Sequence, residues 1–318
     1  MTAAPLAATA EAPLPRGARG FWYAGADGAR LRAAVFPAQG AARGSVVLSG
    51  GRTEPIEKYF EVIGELQRRG FAVLAHDWRG QGLSQRLLPD RHSGHADGHA
   101  DFLEDLRLLL AEVSDALPRP WIGLGHSMGG ALLALAAVQR IARFEALLLS
   151  APMIGLAAVR RFSPIAPLIA GAMIGLGHSG DYITKDGFEP LLGPFDGNIL
   201  THDRRRYERY RGQLAACPDL ALGGVTWGWL GFALGAGAAL SRASAARAVL
   251  GTPLTVIGAG EDHLVLNGPA RRFAERAGGG YVEIAGAFHE LLMETDERRA
   301  LVWAQFDALA ARISPPPT

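Results

Sequence analysis

Cysteine is almost absent from this 318-residue chain: Cys217 stands alone. One cysteine cannot close an internal disulfide, and its scarcity suits a reducing compartment. With no histidine-bearing motif beside it, Cys217 reads as a packing residue. An excess of charge of one sign is missing too. Lys+Arg 32 against Asp+Glu 31 leaves no electrostatic footprint for nucleic acid. Lysine itself is confined to Lys58 and Lys185, so arginine carries the positive charge. No run approaches the roughly 20 apolar residues of a spanning helix. Met1 to Pro15 has neither the basic n-region nor the apolar core of a signal peptide. Residues 1–18 are therefore expected to be a disordered leader, residues 314–318 a tail, and the chain cytoplasmic. His76, His92, His95 and His99 lack the carboxylate company and spacing of a metal site, so no metal is expected.

What the chain has is glycine, 41 residues of it, and one glycine pattern carries chemistry. The apolar run Trp121-Ile122-Gly123-Leu124 meets Gly125-His126-Ser127-Met128-Gly129, and an Ala/Leu-rich helical pattern follows at once. Strand, Gly-x-Ser-x-Gly, helix is the order of a nucleophile elbow, in which a strained turn pushes the serine hydroxyl outward. Gly125 and Gly129 lack side chains that would collide across that turn. The new helix aims its first free N–H groups at the place where an oxyanion would form.

Strands alternate with amphipathic helices on either side of this elbow. Phe21–Tyr23 and Leu31–Phe36 flank the turn signal Ala26-Asp27-Gly28, predicting a hairpin at a sheet edge. Ser45–Leu48 reads as a buried strand, and Ile56, Tyr59, Phe60, Ile63 and Leu66 fall at helical spacing before Gly70. Phe71–Leu74, Trp121–Leu124 and Ala146–Leu149 read as further strands. The alternation stops after about Ala151 and resumes at Pro253–Ile257 and Tyr281–Ile284, with a final helix through Val302, Phe306 and Ile313. This predicts an α/β fold with a mostly parallel sheet flanked by helices. Residues 19–152 and 251–313 form the expected core, and 153–250 a helical cap over its catalytic edge.

A serine hydroxyl is a weak nucleophile until a base contacts it and a third group orients that base. Asp262 follows the strand Leu254–Ile257, and His289 follows Tyr281–Ile284. Both lie on the edge where an open parallel sheet builds its site. Ser127, Asp262 and His289 stand in the chain order of an α/β-hydrolase triad. Glu261 is a rival for the acid, while His126 and His263 read as neighbours of the relay. For the oxyanion hole the N–H of Met128 is one expected donor; Gly51 is the second, with Arg52 the neighbouring candidate. Asp77-Trp78-Arg79-Gly80-Gln81-Gly82 lacks the full dinucleotide fingerprint, and no cofactor is expected.

These motifs resemble a family. Gly125-His126-Ser127-Met128-Gly129-Gly130, Asp77-Trp78-Arg79-Gly80-Gln81-Gly82-Leu83-Ser84, Gly260-Glu261-Asp262 and Gly286-Ala287-Phe288-His289-Glu290 are similar to those of the bacterial lysophospholipase and monoacylglycerol-lipase group of α/β-hydrolases, also called serine aminopeptidase-like. The likeness runs from about Phe21 to Ile313. It includes Asn198–Asp203 with Arg206 and Tyr207, and Gly223–Trp227, in the cap. The resemblance implies an α/β-hydrolase fold, with Ser127 as nucleophile, Asp262 as acid and His289 as base. One departure stands out: where many relatives read His-Gly in the oxyanion loop, this chain reads Ser49-Gly50-Gly51-Arg52.

The expected activity is hydrolysis of a lipid-like ester, a lysophospholipid or monoacylglycerol, through an acyl-enzyme. Arg52, His126 and Trp227 are the expected substrate contacts. Rivals are an aminopeptidase or amidase and an acyltransferase on the same triad, and a silent binding module. Ser163 to Leu176 is apolar nearly all round, which fits either a helix buried on the sheet or a lid meeting a bilayer surface at the inner face of the membrane. Arg204, Arg205, Arg206, Arg209 and Arg211 fit either a solvated face or a patch for phosphate head groups.

Overall fold

The computed structural model describes residues 1–160, 165–184 and 193–314. Nine strands make one sheet: β1 (Thr2–Ala3), β2 (Arg19–Ala24), β3 (Arg30–Phe36), β4 (Gly44–Ser49), β5 (Phe71–His76), β6 (Trp121–His126), β7 (Ala146–Ser150), β8 (Leu254–Ala259) and β9 (Gly280–Ile284). Their spatial order is β1-β2-β3-β5-β4-β6-β7-β8-β9. The first three pair antiparallel, β3 with β5 as well; β5 through to β9 runs parallel. Strands β4 to β7 are buried at every position. Covered on both faces, they read in sequence as continuous apolar runs rather than alternating ones.

Among the described residues the helices are α1 (Phe60–Arg68), α2 (Ala100–Val113), α3 (Ser127–Val138), α4 (Ala157–Arg160), α5 (Ala166–Gly175), α6 (Arg204–Ala216), α7 (Trp227–Ser241), α8 (Ala243–Ala248), α9 (Asn267–Arg276) and α10 (Asp296–Ala311). Chain order reverses at β4, which has β5 on one side and β6 on the other. That switch point opens a crevice at the carboxyl ends of β4 and β6. Ser49 ends β4 opposite Gly125 of β6, so the Gly50–Glu54 loop and the Ser127 elbow are neighbours by register.

Three expectations change. The first eighteen residues are not a loose leader: Thr2 and Ala3 pair with Trp22 and Phe21, and Ala12 is buried. Ala7 N–H donates to Glu57 (3.0 Å), and the Pro5 carbonyl accepts from Arg32 (3.1 Å). The segment 153–250 is not one cap. Phe232 of α7 stacks on Phe102 of α2 at 5.1 Å, and Ala233, Ala236, Leu240, Ala245 and Ala246 join the main core. Helix α7 thus turns from the site into the layer covering α3. Finally, of the two readings held for Ser163 to Leu176, burial on the sheet drops out for the described part: in α5 only Ala166 and Ala170 are covered, while Leu168 and Leu176 are each 73% exposed. Ser163 and Pro164, Lys185, and the tail after Ser314 lie outside the described residues.

Candidate active site

Ser127 sits at φ +51°, in the left-handed region that costs a non-glycine residue about 1–3 kcal/mol. The turn around it is sterically closed. A Cβ on Gly125 would stand 2.7 Å from Gly130 Cα, and one on Gly129 would stand 2.2 Å from the Ser49 carbonyl oxygen. Backbone therefore packs on backbone, and the elbow and the Gly50–Glu54 loop fit only because both glycines are bare.

The structure brings Ser127, His289 and Asp262 together. His289 Nε2 lies 3.0 Å from Ser127 Oγ, and its Nδ1 lies 2.7 Å from Asp262 Oδ2. The other Asp262 oxygen accepts the N–H groups of Leu264 (2.8 Å) and Val265 (2.9 Å). Burial works against the Asp262 charge, but the bonds from His289 and these two N–H groups hold its pKa below the usual value. Glu261, the rival acid, is exposed. Such a relay can take the serine proton, return it to a leaving alcohol, and stabilise the imidazolium in between.

The oxyanion loop is braced on every side. Trp78 Nε1–H donates to the Gly50 carbonyl (2.9 Å), Thr53 N–H to Gln81 Oε1 (2.7 Å), and the Tyr210 hydroxyl to the Thr53 carbonyl. Ser49 Oγ pairs with His76 Nε2 of the neighbouring strand at 2.8 Å. One expectation is corrected here: the Gly51 N–H is not free but donates to Glu54 Oε2 at 2.5 Å. Met128 N–H and Arg52 N–H have no acceptor among the described residues.

Sequence reasoning missed the ionic cluster behind that loop. Lys58 Nζ bridges Glu54 (2.8 Å) and Glu290 (2.5 Å), all three side chains nearly inaccessible, and Tyr59 donates to Glu54 at 2.5 Å. Burial and the Glu54 charge push the Glu290 pKa up. Glu54 stays below the usual carboxylate range: burial opposes its charge, but Lys58 and His126 outweigh it. Only the four-residue spacing of Glu54 and Lys58 hinted at the pair. His126 stands 3.8 Å from Glu54, with its ring 4.7 Å from that of His289; burial pulls its pKa down to about 4, so it is neutral at pH 7. His263 lies edge-on to Phe288, away from the relay.

The triad opens into a cavity of about 940 Å³, lined by Ser127, His289 and Met128 at its floor and by Leu156, Ile169, Val225, Trp227, Trp229 and Leu264 along its walls. Arg52 and His126 also line it, so all three expected substrate contacts face this space. The arginine run does not. Arg206 is buried against Glu61, Asp203 and Asp296, Arg209 meets Glu61, Arg204 meets Asp196, and Arg211 meets Glu208. It fastens α6 to α1 and α10. No cluster of three metal-ligating side chains occurs among the described residues.

Comparison with known proteins agrees with this geometry. Escherichia coli lysophospholipase L2 is 34% identical over 295 residues, covering 88% of this chain and 83% of that protein. The monoacylglycerol lipase of Mycolicibacterium smegmatis is 26% identical, covering 88% and 92%. Among solved structures, a soluble variant of monoglyceride lipase from Saccharomyces cerevisiae superposes with a TM-score of 0.70 at 21% identity, over 92% of this chain and 95% of that one. Residues 40–296 match the family described as serine aminopeptidase, S33. The chain belongs to that family, on an α/β-hydrolase fold.

Proposed function

We propose that this chain hydrolyses the carboxylic ester of a single-chain lipid, a lysophospholipid or monoacylglycerol, through an acyl-enzyme on Ser127. His289 removes the Ser127 proton as its oxygen attacks the ester carbonyl, and Asp262 holds the imidazole. The Met128 and Arg52 N–H groups, both without an acceptor among the described residues, hold the oxyanion. His289 then protonates the leaving alcohol, and water, activated by the same histidine, releases the fatty acid. The observation that carries this reading is the cavity: the relay opens into about 940 Å³ of mostly apolar wall, room for an acyl chain. The names of the relatives, lysophospholipase L2 and monoacylglycerol lipase, favour the same substrates. An aminopeptidase needs an acidic site for a substrate ammonium. The two carboxylates placed for it, Glu54 and Glu290, already hold the Lys58 ammonium.

Helix α5 is proposed as the membrane-facing surface of the lid. Ile165, Leu168, Ile169, Ile174 and Leu176 are exposed around it, and among the described residues no helix is long and apolar enough to cross a bilayer. Such a surface suits contact in the plane of the interface.

The test is fatty-acid or amine release from lysophosphatidylcholine, monoacylglycerol and an aminoacyl anilide, side by side, by wild type and Ser127→Ala. Lipid-ester cleavage by wild type alone is expected. Cleavage of the anilide only would overturn the lipid reading.

A further inference from the structure

Among the described residues, Arg52 is the one cation on the cavity wall whose charge no carboxylate answers. Among the described residues no carboxylate lies within salt-bridge distance of it, whereas Lys58 behind the wall has two. A guanidinium carries five N–H donors. The structure uses one, Nη1–H to the Gly223 carbonyl at 2.5 Å. The group is wedged at the seam between loops: a Cβ on Gly94 would stand 2.9 Å from Nη1, and the Trp229 ring centre lies 5.6 Å from Cζ. Backbone closes one side; the side chain lines the cavity, and Nε and Nη2 meet no acceptor among the described residues. Burial pulls the Arg52 pKa down to about 10, which still leaves it charged at neutral pH. The side chain is only partly covered, but a half-buried cation without a counter-charge still loses hydration that nothing replaces, and an anion arriving with the substrate would supply one.

The position narrows what that anion is. Arg52 follows Gly51, and a Cβ on Gly51 would stand 3.1 Å from Ser127 Cβ. The arginine therefore extends from the edge of the reacting centre toward the Gly223–Val225 wall, one side-chain length from the ester. In a lysophospholipid the phosphate lies that far along the leaving alcohol, three glycerol carbons from the ester oxygen. A monoacylglycerol has only a neutral hydroxyl there. The arginines of α6, which the sequence offered for phosphate, are committed to carboxylates.

We propose that Arg52 binds the phosphate of the leaving glycerophosphoryl group and so selects lysophospholipids over monoacylglycerols. This rests on the ester-hydrolase reading above and names the substrate within it. The planar guanidinium fork suits two phosphate oxygens. Glu54, two residues on, does not compete for the fork, because its oxygens face Gly51, Lys58 and Tyr59.

Two measurements on the full chain test this. The first is the ratio of kcat/KM for palmitoyl lysophosphatidylcholine to that for palmitoylglycerol, presented in the same detergent micelles. Arg52→Gln keeps a donor for the Gly223 carbonyl but drops the charge, and the ratio is expected to fall about tenfold or more; Arg52→Lys, which keeps the charge but not the fork, is expected to restore only part of it. The second is competitive inhibition of short-chain p-nitrophenyl ester hydrolysis by glycerol 3-phosphate, with glycerol as control. Arg52→Gln is expected to raise the glycerol 3-phosphate inhibition constant by a similar factor. An unchanged ratio, or an equal loss on both lipids, makes Arg52 a loop brace and overturns the proposal. A wild type idle on both lipids would sink the lipid-ester reading instead, and the inhibition constants would then decide the phosphate site by themselves.

Discussion

Glu54 accepts the N–H of Gly51 at 2.5 Å, where a Cβ on Gly51 would stand 3.1 Å from Ser127 Cβ. The same carboxylate holds Lys58 and Tyr59, so one buried side chain ties the loop to the helix that follows it. Glu54→Ala removes three hydrogen bonds and leaves Lys58 with Glu290 alone. The expected cost is about 3 kcal/mol, the lower end for breaking a buried ion pair. The loop also loses its anchor, so kcat on a soluble ester is expected to fall at least about tenfold at a temperature where the variant remains folded. Urea melts and steady-state kinetics check the two parts separately.

Gly129 presses its Cα against the Ser49 and Gly50 carbonyls, with 2.2 and 2.4 Å to an added Cβ. Gly129→Ala must push the elbow and the oxyanion loop apart, and a fall of about a hundredfold or more in kcat/KM is expected. Gly235, in α7, has no atom within 4 Å of its added Cβ. Gly235→Ala is therefore expected to stabilise the protein by about 1 kcal/mol. A Gly129→Ala enzyme with unchanged activity would contradict the packing described for the elbow.

Glu61 joins α1 to α6 and α10 through Arg206 (2.7 Å), Arg209 (2.6 Å) and Arg299 (3.5 Å). Burial alone would raise its pKa; the hydrogen bond from Arg206 and the charges of Arg299 and Arg209 outweigh that and hold it at about 2. An unfolded glutamate titrates near about 4.3. The folded value is the lower one, so this stabilisation is whole above the unfolded value and is lost as pH falls from there toward 2. Urea midpoints measured from pH 6 down to pH 3 are expected to drop less steeply for Glu61→Gln than for wild type. Parallel curves would mean that Glu61 contributes nothing pH-dependent.

The exposed face of α5 gives a surface prediction. Leu168 and Leu176 touch little of the protein, so replacing both by serine is expected to leave thermal stability and short-ester hydrolysis within about twofold of wild type. Each leucine buried in a bilayer is worth about 1.5–3 kcal/mol. Vesicle cosedimentation, and with it hydrolysis of vesicle-bound lipid, is therefore expected to fall at least about tenfold. Equal binding by both proteins would remove α5 as the membrane-facing element.

Much of this was legible in the sequence because backbone rules wrote it there. The elbow needs its two glycines, the buried strands their unbroken apolar runs, and Asp262 and His289 their places just after strands. What stayed hidden depends on partners distant in the chain. Nothing in the strand run Leu31–Phe36 marks Arg32 as interior, yet it is fully buried between Glu57 and Asp77, both at 2.7 Å. Arg206 reads as one of a solvated run until α1 brings Glu61 to it. Thr2 and Ala3 carry no strand pattern and are ordered by the free edge of β2. The Gly51 N–H looked available because nothing local shows that Glu54 folds back upon it.

The central claim is that Ser127 is the nucleophile and His289 its base. The most direct measurement is the intact mass of the protein after reaction with a fluorophosphonate, followed by mapping of the adduct. One adduct on Ser127 is predicted, absent from Ser127→Ala and formed at least about a thousandfold more slowly by His289→Ala. A wild type that takes up no label, or a Ser127→Ala protein that still takes it up at the same rate, would contradict the account.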